Sequence, residues 1–592
     1  MRFSLPVLTL ASGLVAGLGA CAASSGPPIP DKFGERSPVI GNHDGPPVDP
    51  GQAGTARFVH PLLDAFDAEA AMSVTTFLDG FYRAPGSDGY EASIEEIRSA
   101  LFGAGFGVTD GYGLSVVSRP METAAWTPRS ASLRVAASDE ALAKASKRGA
   151  RWRAEEAGEV ELLSFEHERE SARVMLPLGA PGCRVAGPLV LELGAVKAGD
   201  VLLTERPLLS VEEDAVAAGA AAVLSDYTLP YCVDPSGEKR GHDAIFSGRV
   251  RPGATLPSFQ ISRRAGEFLR TASPYGARVR LEAQVSEQVR PLRVVLATIE
   301  GAERPDETVF VLGHVDGAGA NDNAAGAGGV AELALTVKRL IASGVLERPR
   351  RSLCFVFGTE QGAGAMAVAE VGGAPVAAIV ADMIAADAER SGAGCLLERG
   401  WDPASVYLLP PDAHTPRGSE ATIAKDIVPN GLSIICREAL IDVSYAEAAR
   451  GGERWSTREH PWEGGGDHDA FLAAGTAAAL FWHFTDFSYQ TSLDRMDMVD
   501  PAELRRTAVA VGAAALAVAD ARPLDLERHL DTLNLELHTR LDAVVREEAG
   551  PAAERLWKDW FRGARFWLKA LTAGEGLPEP RALDLVSSAP PE

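Results

Sequence analysis

The segment from Glu307 to Gly326, ETVFVLGHVDGAGANDNAAG, decides the fold. It opens with a short apolar run, which predicts a buried strand, and passes through a Gly- and Ala-rich turn into a helix from Gly326 to Ser343. Because apolar runs alternate with helices further along the chain, we predict an α/β three-layer sandwich with a mostly parallel central sheet covered on both faces. The other runs are VVLATIEG (294–301), SLCFVFGTE (352–360), APVAAIVADM (374–383) and TAAALFWHFTD (476–486).

Polar side chains follow these runs at the points where the strands end. His314 and Asp316 follow the first strand, Glu360 ends the next and Asp382 ends the third, while Asp322 lies in the Gly/Ala turn. The carboxyl ends of parallel strands meet at one sheet edge, so these groups are expected to converge. A hydrolytic metal needs imidazole and carboxylate ligands around an open position, with a carboxylate base nearby. The sequence therefore predicts a metal centre.

The segment GHVDGAGANDNAAG (313–326) resembles the His-x-Asp and Gly-Ala-Asp-Asp-Asn-Ala-Ser-Gly signature of metallopeptidase family twenty-eight. This family includes bacterial leucyl aminopeptidases and glutamate carboxypeptidases. The resemblance continues through Ile379–Met383, GGGDHDAFLAAGTAAALF (464–481) and YQTSLDRMDMVD (489–500). With the N-terminal helices and an insert in the usual order, it covers residues 60–521.

The resemblance implies an exopeptidase-like hydrolase in which zinc-activated water attacks a peptide carbonyl, with aminopeptidase specificity. The family holds two zinc ions. Carried over to this sequence, His314, Asp322 and Asp382 surround one ion, and Asp322 bridges to the second. Asp316 would orient the imidazole of His314.

The second metal position departs from the family pattern. Gln490 stands where the family has histidine, and the family's pair of glutamates is Glu360–Gln361 here. Glu360 aligns either with the general base or with the metal ligand. An amide oxygen is a poor zinc ligand, so we expect one zinc ion or none. The alternative function is a catalytically inactive lipoprotein that binds peptides or a protein partner. Candidate pocket residues are Asp467, His468 and Tyr489.

The N-terminus carries a targeting signal. Arg2 precedes an apolar run from Leu5 to Ala20 that ends in Leu-Gly-Ala-Cys21 and resembles the bacterial lipobox. We expect a signal peptide over 1–20, lipidation at Cys21 and a flexible Pro- and Gly-rich tether over 21–54. The N-terminal lipid would anchor the chain to a membrane in the bacterial cell envelope, and Ala22 favours the outer membrane. An ordinary secretory signal is the alternative.

From about Glu161 the sequence changes to short apolar runs, which predict strands and mark an insert over 161–288. It resembles the protease-associated domain through Ala218–Ala220, Ala222–Val223 and Pro257–Ser262. We assign 55–160 to the N-terminal part of the peptidase-like domain and 289–521 to its catalytic part. A helical tail occupies 522–592, and its aromatic residues are expected to pack on the body, with membrane or partner contact as the alternative. They are Trp557, Trp560, Phe561, Phe566 and Trp567.

Composition narrows the class of protein. The chain has 592 residues, 46% hydrophobic and 23% charged, which argues against disorder and for several domains. Lys and Arg number 57 against 81 Asp and Glu, and the net charge of -24 excludes nucleic acid as a partner. Thr507–Ala519 is apolar but too short to span a bilayer, so we expect a core helix. Cys183 with Cys232, and Cys395 with Cys436, are candidate disulfide pairs.

Overall fold

A computed structural model gives the architecture of most of the chain. The lipidation position Cys21, the segment 1–20, nearly all of the tether 21–54 and Gln361 lie outside the described residues. The residues that the structure describes are 53–147, 153–154, 159–166, 170–232, 241–360, 362–406, 422–452, 454–547, 549–574 and 577.

Strands and helices are numbered in chain order. The strands are β1 (Tyr112–Arg119), β2 (Ala125–Ala136), β3 (Arg153–Ala154), β4 (Glu159–Phe165), β5 (Cys183–Val190), β6 (Val201–Thr204), β7 (Ala222–Ser225), β8 (Ser258–Gln260), β9 (Arg278–Gln288), β10 (Leu292–Ile299), β11 (Arg304–Leu312), β12 (Arg351–Phe357), β13 (Ala374–Ala381), β14 (Gly394–Glu398), β15 (Thr457–His460) and β16 (Ala477–Phe484). The helices are α1 (Ala56–Ala65), α2 (Ala68–Asp79), α3 (Asp88–Gly103), α4 (Asp139–Lys147), α5 (Leu208–Ala218), α6 (Arg263–Ala272), α7 (Ala324–Ala342), α8 (Ala363–Val371), α9 (Ala388–Ser391), α10 (Leu432–Ala449), α11 (His468–Ala473), α12 (Pro501–Ala519), α13 (Leu526–Arg546) and α14 (Gly550–Ala573).

The first sheet has the order β1-β10-β12-β11-β13-β16-β14-β15. Its central strands β12, β11, β13 and β16 are parallel, as the sequence predicted. The sheet as a whole is mixed, because β10 is antiparallel to both of its neighbours and β14 is antiparallel to β16. Only a short turn joins β10 to β11, whereas a parallel connection requires a long crossover. Strand β10 therefore runs antiparallel to β11, and also to β12, which is parallel to β11.

Helices cover both faces of the first sheet, so the predicted three layers are present. Val309 and Val311 of β11 pack into the core formed with α7 and α12, whereas Phe310 and Leu312 pack into the core formed with α8 and α11. This alternation follows from the two-residue period of a strand. Residues 507–519 lie in α12 and are buried throughout, as expected of a core helix.

The second sheet has the order β3-β4-β2-β9-β5-β6-β7-β8 and is also mixed. Strands β3, β4, β2, β9 and β5 pair antiparallel, and β5 to β8 pair parallel. Residues 125–160, which the sequence assigned to the N-terminal part of the peptidase-like domain, contribute strands to this sheet. The reason is that β2 pairs along its length with β9, more than a hundred residues later.

The C-terminal region is helical. Trp557, Trp560, Phe561 and Trp567 of α14 are buried against the body, which confirms the predicted packing, whereas Phe566 is exposed. No helix among the described residues has the length and apolarity needed to cross a bilayer. The candidate disulfides are not formed, since all cysteines in the described part are free.

Candidate metal centre

Three neighbouring parallel strands bring the predicted groups to one edge of the first sheet. Leu312 of β11 lies opposite Val356 of β12 and Val380 of β13, so the residues that follow these strands emerge side by side. The turn after β11 leads into α7, where the Asn323 side chain accepts a hydrogen bond from the Gly326 amide. A Cβ at Gly326 would lie 2.3 Å from the Ala381 carbonyl oxygen, so glycine permits this close approach.

His314 lies at the middle of the cluster and is buried. Its Nδ1 lies 3.0 Å from the Asp316 carbonyl oxygen and 3.3 Å from Asp316 Oδ1. Its Nε2 lies 3.2 Å from Asp382 Oδ1 and 3.6 Å from Asp322 Oδ1. Because Asp316 engages Nδ1, Nε2 faces the carboxylates and is the nitrogen available to a metal.

Glu360 reaches the same point. Ligand atoms of His314, Glu360 and Asp382 all lie within 4.8 Å of one another. The Glu360 amide donates to Asp316 Oδ1 at 2.9 Å, so Asp316 fixes both the imidazole and the start of the Glu360 turn. The structure thus places all five residues predicted for the centre together, and it puts Glu360 within ligand distance of the others.

Crowded carboxylates dominate the electrostatics of this site. Burial, followed by the neighbouring Asp382, raises the pKa of Asp322 to about 7. Burial also raises the pKa of Glu360 well above its usual range, with Asp382 and Asp467 adding to the effect. Burial alone would lower the pKa of His314, but Asp382 and Asp316 raise it well above its ordinary value. A divalent cation would relieve this excess of negative charge, so the donor set fits a metal.

The position of the family's second-metal histidine is occupied differently. Gln490 is exposed, and its amide nitrogen donates to the Tyr489 hydroxyl at 3.1 Å. Its backbone has φ of 50°, a left-handed conformation that is uncommon for residues other than glycine. Its carbonyl oxygen accepts from the Ser247 amide at 2.7 Å.

A buried support under the turn was missed by the sequence analysis. The Asp494 carboxylate accepts from the amides of Asn321 at 2.7 Å and Asp322 at 2.9 Å. Fully buried Arg83 donates to the carbonyl oxygens of Val315 at 2.6 Å and Gly319 at 2.8 Å. Asp494 stands in the quoted segment 489–500, which could have pointed to it, whereas Arg83 gives no local signal.

The candidate pocket residues have different surroundings. Asp467 is buried close enough to raise the pKa of Glu360, and burial followed by Asp322 raises the pKa of Tyr489 well above its usual value. His468 is fully buried, and its Nε2 lies 2.9 Å from Glu398 Oε1.

Two other histidines near the sheet are engaged in structural contacts. His460, Glu398 and Glu463 form a second group with metal-ligand spacing. However, His460 Nδ1 contacts the Pro461 carbonyl oxygen and its Nε2 accepts from the Trp482 indole, each at 2.8 Å. His483 contacts the Met383 carbonyl oxygen and Glu503. Both ring nitrogens of each histidine therefore already have a partner within the protein.

Comparison with known proteins gives a family match over the centre. Residues 294–388 match the profile described as Peptidase family M28, and this span contains His314, Asp316, Asp322, Glu360 and Asp382. The match is confined to this part of the chain, which holds the candidate metal centre. No curated protein matches the sequence.

Several solved structures resemble the fold at low identity. A zinc aminopeptidase from Bacillus subtilis is 15% identical, with a TM-score of 0.47, covering 76% of this chain and 94% of its own. An aminopeptidase from Aneurinibacillus sp. strain AM-1 is 17% identical, with a TM-score of 0.42, and the match covers 77% of this chain and 95% of that protein. A Peptidase M28 precursor from Shewanella amazonensis SB2B is 15% identical, with a TM-score of 0.49, and the match covers 79% of this chain and 96% of that protein.

Proposed function

We propose that this protein is a zinc-dependent peptidase-type hydrolase with a single metal site. The observation that carries the proposal is the convergence of His314, Glu360 and Asp382 within 4.8 Å, inside the segment that matches peptidase family M28. His314, Asp322 and Asp382 would hold the ion. Glu360 is near enough to complete the ligand set or to stand beside it as a base.

The chain's own groups can perform the proton chemistry of hydrolysis. When bound, zinc supplies Lewis acidity toward a peptide carbonyl and toward water. Glu360 lies beside the proposed ligands and can accept a proton from water, and its burial, which raises its pKa, favours retention of that proton. The Tyr489 oxygen accepts from Gln490, which leaves its O–H free to donate to a carbonyl oxygen.

Aminopeptidase specificity is the finer proposal. The α-ammonium group of a peptide is a cation, and the centre is rich in carboxylates, among them Glu360 and the buried Asp467. Opposite charge would orient the free amino terminus toward this side of the site.

A second candidate function is a peptide-binding protein without turnover. Gln490 favours it, because an amide is a poor metal ligand and this side chain is exposed and donates to the Tyr489 hydroxyl. The same pocket would then recognise the peptide terminus without cleaving it.

Zinc content and turnover distinguish the two functions. Protein purified without chelator is expected to hold one zinc per chain and to hydrolyse aminoacyl amides or dipeptides. His314→Ala should lose both properties, whereas the matched control His538→Ala, at an exposed position on α13, should keep both. Absence of zinc and turnover in the unmodified protein, together with peptide binding, would select the second candidate.

Targeting and the insert belong to the same proposal. Cys21 would be lipidated and would hold the protein in the bacterial cell envelope, at the outer membrane. The insert within the second sheet would be a protease-associated domain, a type that acts as a lid or an interaction module. In keeping with this, Ser247 and Ile245 of the insert hydrogen-bond with Gln490 and Ser492 beside the centre.

A further inference from the structure

Helix α14 presents a row of positive charge to solvent. Its exposed cations recur at alternating spacings of three and four residues, so they lie along one face of the helix. We call this row the cationic stripe. It consists of Arg555, Lys558, Arg562, Arg565 and Lys569.

Much of this charge is not neutralised within the chain. Lys558 pairs with Glu554 and Arg562 pairs with Asp559, both on α14 itself. Within the described part of the chain, Arg555, Arg565 and Lys569 form no ion pair. The helix therefore keeps a local positive excess in a protein whose net charge is -24.

An exposed aromatic ring accompanies the stripe. Phe566 follows Arg565 directly and is 59% exposed, although the opposite face of α14 buries Trp557, Trp560 and Trp567. The apolar face of the helix is thus buried against the body. The cationic face remains exposed to solvent together with the large apolar side chain of Phe566. Basic residues together with an aromatic side chain are the combination that binds at a membrane interface.

The stripe lies on the helical pair at which the described chain begins. The Ala53 carbonyl oxygen accepts from Arg528 at 2.9 Å, and the Gly54 amide donates to Asp525 at 2.7 Å, so the chain enters the body beside the start of α13. Helices α13 and α14 pack together. Arg565 lines the same groove as Leu526, Glu527 and Asp531 of α13. Any anchor upstream of residue 53 would therefore be tethered to the body beside this helical pair.

We infer that the cationic stripe is a docking surface for an anionic lipid bilayer. Charge complementarity selects this occupant, because an acidic protein is repelled from an anionic surface except through a locally basic face. Phe566 would enter the headgroup region beside the lipid phosphates. The surface would orient the molecule on the membrane, and the inference does not depend on the hydrolase activity.

Vesicle sedimentation tests this inference directly. The chain from Ala22 onward contains every residue that the structure describes and carries neither the signal segment nor a lipid. It is expected to sediment with phosphatidylcholine vesicles containing about one-third phosphatidylglycerol and to remain free with phosphatidylcholine alone. Exchanging all five stripe cations for glutamine should weaken the binding by about 100-fold or more, because each membrane-facing cation contributes about fivefold and three of the five form no ion pair among the described residues. Raising the salt should also weaken it.

A control with the same change of charge isolates the stripe. Arg184, Lys197, Arg206, Arg249 and Arg278 are exposed cations of the insert, and their exchange for glutamine should leave binding within about twofold. Thermal unfolding of both variants checks that they are folded. No preference for anionic vesicles in the parent chain, or equal loss in both variants, would overturn the inference. Selective loss in the stripe variant alone would support it.

Discussion

At the residue scale, Asp316 contacts two groups of the candidate metal centre, His314 and Glu360. It contacts Nδ1 of the imidazole and accepts the Glu360 amide, so one carboxylate positions two groups of the centre. We expect Asp316→Ala to weaken zinc affinity by about 10- to 100-fold, since groups that orient a ligand histidine have effects of this size. Competition titration against a chelator measures the affinity. Asp306→Ala, at an exposed position on β11, is the control and should leave it unchanged.

Gln490 offers a test of the proposal that this protein has a single metal site. We expect the double variant Gln490→His, Gln361→Glu to raise the zinc content from one to two ions per chain, because imidazole and carboxylate are far better zinc ligands than amides. Histidine also tolerates the left-handed backbone at position 490.

Elemental analysis after dialysis gives the zinc count for this comparison. Gln490→Asn combined with Gln361→Asn keeps both amides and should hold no more zinc than the parent. A restored variant with unchanged zinc would mean that the family alignment at these positions is wrong.

At the element scale, a buried network joins α13 to the first sheet. Glu536 of α13 lies 2.6 Å from Arg399 and 3.1 Å from Arg437, and all three side chains are buried. Glu536→Gln leaves these cations short of a partner, so we expect the free energy of unfolding to fall by about 3 kcal/mol. Urea unfolding measures the change. Asp542→Asn, exposed on the same helix, should change it by less than about 0.5 kcal/mol.

The stability difference between the parent protein and Glu536→Gln is expected to depend on pH, and the sign follows from the pKa of Glu536. Burial opposes the ionisation of Glu536, but Arg399 and Arg437 outweigh it and lower its pKa below the ordinary value of 4.5. A lowered folded-state pKa stabilises the protein above the unfolded-state pKa, and this stabilisation is lost as the pH falls through the folded-state value. The stability difference between the parent and Glu536→Gln should therefore be constant above about pH 5 and shrink in more acidic solution. A difference that grows on acidification would contradict this assignment.

The sequence predicts the elements whose signal is local. Apolar runs identify β11, β12, β13 and β16, and the polar residues at their ends identify the centre, because parallel strands bring such ends together. Strand β2 was missed since its pairing with β9 is non-local and its sequence, AWTPRSASLRVA, contains few strongly apolar residues.

Interactions between distant segments are beyond such a prediction. Arg83 reaches the turn at Val315 and Gly319 across more than two hundred residues, and Glu536 meets Arg399 across more than a hundred. Nothing in the neighbouring sequence distinguishes these side chains from exposed charges. Arg83 meets its partners only because the loop after α2 packs under the turn, and Glu536 meets Arg399 only because α13 packs against the first sheet.

At the scale of the whole molecule, charge is distributed unevenly. The net charge of -24 keeps the protein repelled from anionic surfaces, and the stripe on α14 is a local exception near the point where the described chain begins. A lipid at Cys21 and a basic face on the helical pair would act together, because a second contact raises membrane affinity without requiring a stronger anchor. Position and orientation would then have separate causes: the lipid holds the protein at the membrane, and the stripe sets which face meets it.

Lipidation itself is testable through Cys21. We expect the parent protein, expressed in a bacterium, to incorporate labelled palmitate and to enter the detergent phase, because acyl chains add about 0.8 kcal/mol of membrane affinity per buried CH₂. Cys21→Ser should do neither, since the hydroxyl at that position cannot form the thioether. Cys183→Ser is the matched control, because Cys183 is the only described thiol that is not buried, and it should behave as the parent does. Labelling that persists in Cys21→Ser would move the lipid to another residue and leave the N-terminal run as an ordinary secretory signal.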